Sequence, residues 1–181
     1  MALFEGLGKR PTALSIFEIN KAASRHLVNF HHEVLRAPGP LTDVERELIA
    51  TYVSGLNGCK YCYGTHSAGV VEYGIKREVL DAMFENLETS GVDPKMVPLL
   101  KYAGILTQDM TAISEEDAQA VYAAGWSEDA LHNAILVACT FNFMNRLLEG
   151  HGVIGNPALY EVRGKMLTET GYIPLLEALK D

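Results

Sequence analysis

The sequence has few cysteines, an excess of acidic residues and no long apolar run, and each shortage excludes a class of protein. Only 3 of 181 residues are Cys, too few for a small domain held together by disulfides. Lys and Arg number 15 against 23 Asp and Glu, and the net charge of −8 provides no general attraction for nucleic acid or an anionic bilayer. No segment approaches the roughly 20 apolar residues of a membrane-spanning helix. We therefore expect neither nucleic acid nor a membrane as a partner.

The first residues, Met1 to Leu7, lack the basic start and the apolar core of a signal peptide. We therefore expect a cytoplasmic protein in a reducing compartment. In that compartment a closely spaced cysteine pair indicates redox or metal chemistry before structural cross-linking. Such a pair is present as Cys59-Lys60-Tyr61-Cys62.

The hydrophobic pattern predicts an all-α fold, because apolar residues recur at helical spacing and no run shows strict alternation. Apolar residues form 48% of the chain, which is enough for a sizeable core. The clearest predicted helix begins at a capping box formed by Thr42 and Glu45. We predict a single domain over residues 1–181, with a core of about 12–155 and a C-terminal tail over 156–181.

Capping residues and glycines set the bounds of the other predicted helices. A helix starting at about Cys59 or Lys60 and closed by Gly74 follows the Asn57-Gly58 turn, so the two cysteines lie at a helix N-terminus. Four further helices are predicted. One covers Thr12–Arg36, a second starts at Asp93-Pro94, a third starts at Ser114, and a fourth runs from Ser127 to Gly150.

The cysteine pair and a nearby histidine have the spacing that redox thiol chemistry requires. Cys59 and Cys62 are three residues apart, which puts their sulfurs on one helix face within reach of a disulfide. At a helix start, free backbone N–H groups and the helix dipole stabilise a thiolate. His66 lies one turn beyond Cys62 and can exchange a proton with it, directly or through water. We expect the two sulfurs on an exposed helical edge beside this acceptor.

Glu47 is the fourth candidate residue, twelve positions before Cys59 on the preceding helix. The turn at Asn57-Gly58 folds the two helices into a hairpin, but Glu47 lies about two turns from it. Spacing therefore leaves two interpretations open. Its carboxylate either faces the cysteines or is an ordinary solvated side chain on the helix surface.

These four residues resemble the signature of a known family. Glu47, eleven intervening residues and then Cys59-x-x-Cys62-x-x-x-His66 are similar to the motif of the AhpD-like alkylhydroperoxidases, within the carboxymuconolactone decarboxylase superfamily. Two flanking segments resemble the peroxidase-related branch of that superfamily, namely residues 41–47 and 141–146. The resemblance covers roughly residues 12–155.

The resemblance implies an all-helical homo-oligomer, a trimer or hexamer, that reduces peroxides without a metal or an organic cofactor. Cys62 would be the peroxidatic cysteine that becomes a sulfenic acid, and Cys59 would resolve it to a disulfide. Glu47 and His66 would form a proton relay, and an external dithiol or thiol protein would reduce the disulfide. Tyr61 stands where the best-studied AhpD-type members have a histidine, so this relay has one titratable group fewer, and Tyr61 becomes a candidate pocket residue.

Three alternatives stay open from the sequence alone. The helix dipole favours a thiolate at Cys59, whereas proximity to His66 favours Cys62, which we take as the attacking sulfur. The same pair suits a redox adaptor or disulfide reductase that passes electrons to a partner protein without peroxidase turnover. A third reading is a metal-binding helical module in which zinc is held by Cys59, Cys62 and His66, with Glu47 or the His31-His32 pair as a further ligand.

The remaining cysteine and two other histidines have simpler interpretations. Cys139 falls on the apolar stripe of a long predicted helix and is expected to be a small buried hydrophobic residue. His31 and His32 lie near the end of the first predicted helix, where a cation interacts favourably with the helix dipole. We expect no chemical role for these three residues.

Overall fold

Capping side chains and glycines divide the chain into helices much as the sequence indicates. The computed structural model describes residues 3–180, and every regular element in this part is helical, which confirms the all-α prediction. The α-helices are α1 (Ala13–Ile19), α2 (Lys21–Arg36), α3 (Asp43–Leu56), α4 (Lys60–Glu72), α5 (Arg77–Ala82), α6 (Val97–Gln108), α7 (Glu115–Ala123), α8 (Glu128–Gly150), α9 (Pro157–Thr170) and α10 (Ile173–Ala178). Short 3-10 helices occupy Glu5–Leu7 and Met110–Ala112.

The hairpin of α3 and α4 positions the cysteine motif. The predicted capping box is present at the start of α3, where the Glu45 carboxylate accepts a hydrogen bond from Thr42 N at 2.6 Å. Gly58 has a φ of 68°, a left-handed conformation that costs glycine little, and it reverses the chain after α3. The N–H of Cys59 then donates to the carbonyl of Ser54 at 3.1 Å, and α4 begins with Cys59 as its N-cap.

Helix α3 is the central helix of the fold. Its residues 46–54 are all buried, because α4, α6 and α8 pack around it and α2 contacts it as well. This burial places two charged side chains, Arg46 and Glu47, inside the protein. Charged side chains are almost never fully buried unless they are paired, so both side chains require polar or charged partners from neighbouring segments.

Two predicted helices differ from the structure. The segment Thr12–Arg36 is two helices rather than one, because the chain breaks at Asn20, whose side chain accepts from Ala23 N and caps α2. The predicted start at Asp93-Pro94 is wrong by about one turn. Asp93 accepts from Lys95 N at 2.9 Å and forms a turn there, and α6 begins only at Val97.

The C-terminal segment 156–181 contains α9 and α10, and α9 is the most extensive packing partner of α4. The two helices approach closely where glycines face each other, at Gly69 and Gly164. A Cβ on Gly164 would lie only 2.6 Å from Gly69 N and 2.7 Å from Ala68 Cβ. Since one of these neighbours is backbone, a larger side chain cannot be accommodated without separating α9 from α4.

We expect Gly164→Ala to lower the free energy of unfolding by about 1–3 kcal/mol, even though Ala is the better helix former, because the added methyl overpacks a backbone contact. Gly150→Ala is the matched control. That glycine also lies in a helix, and nothing stands within 4 Å of an added Cβ. Urea unfolding should show the control unchanged or stabilised by up to about 1 kcal/mol. Equal shifts in both variants would contradict the packing argument.

Within residues 3–180, no helix combines the length and the apolar run needed to cross a bilayer.

Candidate active site

Glu47 lies fully buried between a histidine of α4 and an arginine of α2. Its Oε2 is 2.6 Å from His66 Nδ1, and its Oε1 accepts a hydrogen bond from Arg36 Nη2. The carboxylate is 0% exposed, so the interpretation as a solvated surface residue is wrong. The structure therefore brings Glu47 and His66 together, which their separation along the chain could not establish.

The charge on Glu47 follows from these two contacts. Burial alone would raise the pKa of the carboxyl group, but the interactions with His66 and then Arg36 outweigh burial and lower the pKa to about 2. Glu47 is thus an anion near neutral pH and accepts from the Nδ1–H of His66. This hydrogen bond orients the imidazole and leaves Nε2 as the nitrogen that can exchange a proton.

Arg36 connects three helices at this point. Besides Glu47 on α3, its guanidinium donates to the carbonyl of Leu167 on α9 at 3.0 Å. A second nitrogen donates to the carbonyl of Leu35 at 3.0 Å. The side chain is 9% exposed, so the ion pair with Glu47 is largely shielded from water. Arg36 thereby fixes the position of Glu47 relative to the C-terminal helices.

The two cysteines are reduced and buried, with Cys59 only 1% and Cys62 only 3% exposed. The expectation of an exposed helical edge is wrong, because α8 and α9 cover this end of α4. A hydrogen bond joins the two thiols. The bond from Cys62 lowers the pKa of Cys59, and the same bond, followed by burial, raises the pKa of Cys62 well above its ordinary value. Of the two thiols, Cys59 is therefore the one that loses its proton more readily.

Helix α8 supplies two further side chains near the pair. Asn145 is buried, donates to Ser54 Oγ at 3.0 Å and hydrogen-bonds Cys62, which counteracts part of the rise in its pKa. Glu149 faces Cys59 and counteracts part of the fall in the pKa of that thiol. The segment 141–146 noted in the sequence thus contributes Asn145 to the surroundings of the cysteines.

Cys62 and His66 line the same cavity, a space of about 80 Å³ enclosed by α1, α2, α4, α8, α9 and α10. Tyr61 lines it as well, and burial raises the pKa of its phenol. Most of the wall is apolar; the rings and aliphatic side chains include Phe17, Leu27, Phe141 and Met144.

Cys59 does not line this cavity but a separate groove of about 320 Å³. The groove is bordered by the end of α3, the start of α4 and the ring of Phe84, with Lys60 and Tyr63 also on its wall. The two sulfurs of the pair therefore belong to two different spaces.

A metal site has little support in this geometry. Among residues 3–180, no three His, Cys, Asp or Glu side chains are grouped so that they could hold a metal ion. His66 is hydrogen-bonded to Glu47 through Nδ1, and the two thiols are hydrogen-bonded to each other. The zinc arrangement considered from the sequence would have to break these contacts.

Comparison with known proteins gives one family match and several structural neighbours. The sequence model of the carboxymuconolactone decarboxylase family matches residues 22–104, which include all four motif residues. The matched residues are somewhat less than half of the chain, and over this segment the chain is similar to that family. No functionally curated protein is similar enough in sequence to be matched.

Solved structures show that the AhpD-like fold extends over most of the chain. An uncharacterized peroxidase-related protein from Silicibacter sp. TM1040 aligns with a TM-score of 0.76 and 24% identity, over 88% of this chain and 83% of its own. An alkylhydroperoxidase AhpD core protein from Ralstonia eutropha JMP134, also described as peroxidase-related, aligns with a TM-score of 0.74 and 23% identity, over 82% and 78%. The debrominase Bmp8, a cysteine-to-alanine variant in complex with 2,3,4-tribromopyrrole, aligns with a TM-score of 0.69 and 15% identity, over 96% and 85%.

Sequence reasoning missed several side chains at the centre of this site. Arg36 and Tyr172 carried no signal, because each meets the motif only through tertiary packing. His31 did carry a sequence signal, since it falls on the buried stripe of α2 between Val28 and Val34. The interpretation of His31 as a cation at a helix end is wrong, because burial, followed by the influence of His66, lowers its pKa to about 3.

The interpretation of Cys139 as a buried hydrophobic residue is also wrong. Its side chain is exposed on α8, although its neighbours Val137 and Ala138 are fully buried. The apolar stripe of α8 is narrower at this point than the sequence suggests, and Cys139 lies just outside it.

The buried neutral His31 makes stability depend on pH. Because its pKa falls from 6.5 to about 3 on folding, the unfolded chain binds the extra proton between these values. The contribution of the neutral His31 to the free energy of unfolding is therefore fully present above about pH 6.5 and is lost as the pH falls towards 3. In His31→Leu, we expect the free energy of unfolding to fall less steeply with decreasing pH, by up to about 1.4 kcal/mol per pH unit. Urea unfolding between pH 7.5 and 4 measures this slope. Parent and variant should have equal slopes above pH 7, and equal slopes at pH 4–6 would contradict the assignment.

Proposed function

We propose that the protein is a thiol-dependent peroxidase that reduces organic hydroperoxides through Cys62 and Cys59, with Glu47 and His66 as proton relay. The observation that supports this most is the position of Cys62 and His66 on one apolar cavity. Behind His66 lies an ionised carboxylate that orients the imidazole. A nucleophile, an oriented base and an enclosed apolar space are the elements of such a reaction.

In the first half of the proposed cycle, Cys62 is oxidised. His66 Nε2 accepts the thiol proton, directly or through water, and the thiolate attacks the terminal oxygen of the hydroperoxide. The O–O bond breaks, Cys62 becomes a sulfenic acid, and the alkoxide leaves as an alcohol with the proton returned by His66. Glu47 stays ionised and stabilises the protonated imidazole.

In the second half, the thiolate of Cys59 attacks the sulfur of the Cys62 sulfenic acid. The Cys59–Cys62 disulfide forms and the hydroxyl group leaves as water after taking up a proton. An external dithiol then reduces the disulfide and is itself oxidised to a disulfide. The lowered pKa of Cys59 suits this resolving role, because it makes the attacking thiolate easier to form.

The raised pKa of Cys62 is compatible with its attacking role. The hydrogen bond between the two thiols couples their titration, and the attack on the peroxide requires only that the proton of Cys62 passes to His66 as the reaction begins. The more basic sulfur is also the stronger nucleophile once it is deprotonated. Between the two sulfurs, Cys62 is the one that shares a cavity with the base.

The redox adaptor remains the second candidate, and the burial of both sulfurs argues against it. A disulfide held in a folded partner protein cannot reach sulfurs that are 1% and 3% exposed unless the helices separate, whereas a small peroxide can enter the cavity. The peroxidase proposal includes a cytoplasmic setting, which keeps the pair reduced, and a homo-oligomer, a trimer or hexamer.

Steady-state kinetics separate these two functions. We expect continuous, saturable consumption of tert-butyl hydroperoxide when a small dithiol such as dithiothreitol is supplied. Exchange with a protein disulfide should be slower than this turnover under the same conditions. Fast exchange without hydroperoxide consumption would overturn the peroxidase proposal in favour of the adaptor.

A further inference from the structure

Three residues that line the Cys62 cavity each have a buried polar atom with no hydrogen-bond partner among residues 3–180. The atoms are Nδ1 of His31, Oγ1 of Thr65 and the hydroxyl oxygen of Tyr172, and among these residues His31 and Tyr172 are in contact. The two side chains are 3% and 9% exposed, and their rings meet edge to face with centroids 4.5 Å apart. Buried polar groups are nearly always hydrogen-bonded, and leaving one unpaired destabilises the folded protein. Two such atoms on one wall of one cavity indicate that a ligand satisfies them.

Both groups are uncharged near neutral pH. Burial lowers the pKa of His31 to about 3, and burial raises the pKa of Tyr172 well above its ordinary value. The neutral imidazole and the neutral phenol offer hydrogen bonds but no net charge. The surrounding wall is mostly apolar, and Phe141 packs against His31 with ring centroids 5.0 Å apart. Such a surface favours an uncharged molecule that carries oxygen atoms on an apolar body.

The size of the cavity limits that molecule. One water needs roughly 10–15 Å³ measured on the same basis, so a space of about 80 Å³ holds about half a dozen waters or a ligand with a similar number of non-hydrogen atoms. A short branched alkyl hydroperoxide such as tert-butyl hydroperoxide meets this limit.

We propose that His31 and Tyr172 form the substrate subsite of the cavity and hydrogen-bond the oxygens of a small, uncharged alkyl hydroperoxide while it approaches Cys62. This inference rests on the proposed function and adds the substrate class and its recognition. Neither His31 nor Tyr172 belongs to the four-residue motif, and Tyr172 also lies outside the segment that resembles the family. The subsite also explains why the fold retains a buried hydroxyl that no protein atom satisfies.

One charged side chain on the cavity wall offers a competing mode of recognition. Arg163 is partly buried, lines the cavity and forms no ion pair with any described residue that would neutralise it. Its guanidinium lies 3.7 Å from Met166 Sδ. A carboxylated substrate would bind there rather than at His31 and Tyr172. The two modes are distinguished by ligands that share a skeleton and differ in charge.

Binding of unreactive alcohols to the reduced protein tests the subsite without turnover. The probes are tert-butyl alcohol, which is the reduction product of tert-butyl hydroperoxide, and 2-hydroxyisobutyrate, in which one methyl of that alcohol is replaced by a carboxylate. We expect NMR titration to show the neutral alcohol binding, with resonances of Tyr172 and His31 perturbed, and the anion binding more weakly. Tyr172→Phe and His31→Leu should each weaken alcohol binding roughly three- to tenfold, the range for one hydrogen bond.

A structural role for Tyr172 would give a different result. Because its hydroxyl has no protein partner, Tyr172→Phe should leave the unfolding midpoint in urea unchanged or raise it. Tighter binding of 2-hydroxyisobutyrate, lost in Arg163→Gln, would overturn the subsite in favour of an anionic substrate. Unchanged alcohol binding in both His31 and Tyr172 variants would also overturn it, even in a protein that turns over peroxide. Weakened binding without any peroxide turnover would uphold the subsite and contradict the peroxidase instead.

Discussion

Replacing Cys62 with serine is expected to lower steady-state hydroperoxide reduction by more than about 10³-fold, because the reaction loses the nucleophile that breaks the O–O bond. Cys59→Ser is expected to block continuous turnover for a different reason. Cys62 can still react once, but no neighbouring thiol resolves the sulfenic acid. A single-turnover assay should therefore yield about one alcohol per protein from Cys59→Ser and almost none from Cys62→Ser.

Cys139→Ser is the control for these two variants. Its thiol is exposed on α8 and does not line the cavity, so turnover should match the parent. The opposite pattern, with a stoichiometric burst in Cys62→Ser and none in Cys59→Ser, would transfer the attacking role to Cys59. The pKa of Cys59 is lowered and the pKa of Cys62 is raised, so this outcome is a stringent test of the assignment.

Glu47→Gln is expected to have the second large effect, on both activity and stability. The substitution removes the anion that stabilises protonated His66, so kcat should fall by about 10²–10⁴, the usual contribution of acid–base catalysis. It also removes the buried counter-charge of the shielded Arg36 guanidinium, which then keeps only the exposed carboxylate of Asp43, 3.9 Å from its Nε. The free energy of unfolding should therefore fall by up to about 3–5 kcal/mol. Kinetics of hydroperoxide reduction, followed by stopped flow, measure the change in kcat, and urea unfolding measures the change in the free energy of unfolding.

A double variant separates the two effects of Glu47. Replacing the pair together, as Arg36→Met with Glu47→Leu, removes both charges and should recover much of the stability, because apolar residues often substitute for a buried ion pair at little cost. Activity should stay low, since His66 has then lost its orienting acceptor. Recovery of both stability and activity in the double variant would show that Glu47 has only a structural role.

Local rules predict much of the fold. The capping box at Thr42 and the helix starts at Ser114 and Ser127 all form as the sequence indicates, and Gly58 reverses the chain where expected. These features depend on neighbours three or four residues away, which a sequence displays directly. The break at Asn20 is local too, but helical periodicity continues across it and conceals it.

Tertiary packing determines the parts of the site that the sequence could not predict. The motif specified Glu47, Cys59, Cys62 and His66, but not that the sulfurs are buried or that Glu47 faces inwards. Burial of the sulfurs depends on α8 and α9, which come 66 or more residues after Cys62 in the chain. The partners of the cluster, Arg36 and Tyr172, come from α2 and from the turn before α10, and no spacing rule connects either to the motif.

Trapping of the sulfenic acid tests the central claim most directly. After exposure to one equivalent of tert-butyl hydroperoxide, a dimedone-type probe followed by mass spectrometry should label Cys62 in Cys59→Ser and nothing in Cys62→Ser. The parent protein should instead show a Cys59–Cys62 disulfide. Label on Cys59 alone would reverse the roles of the two cysteines. No label in either variant, together with no disulfide in the parent, would contradict the peroxidase mechanism.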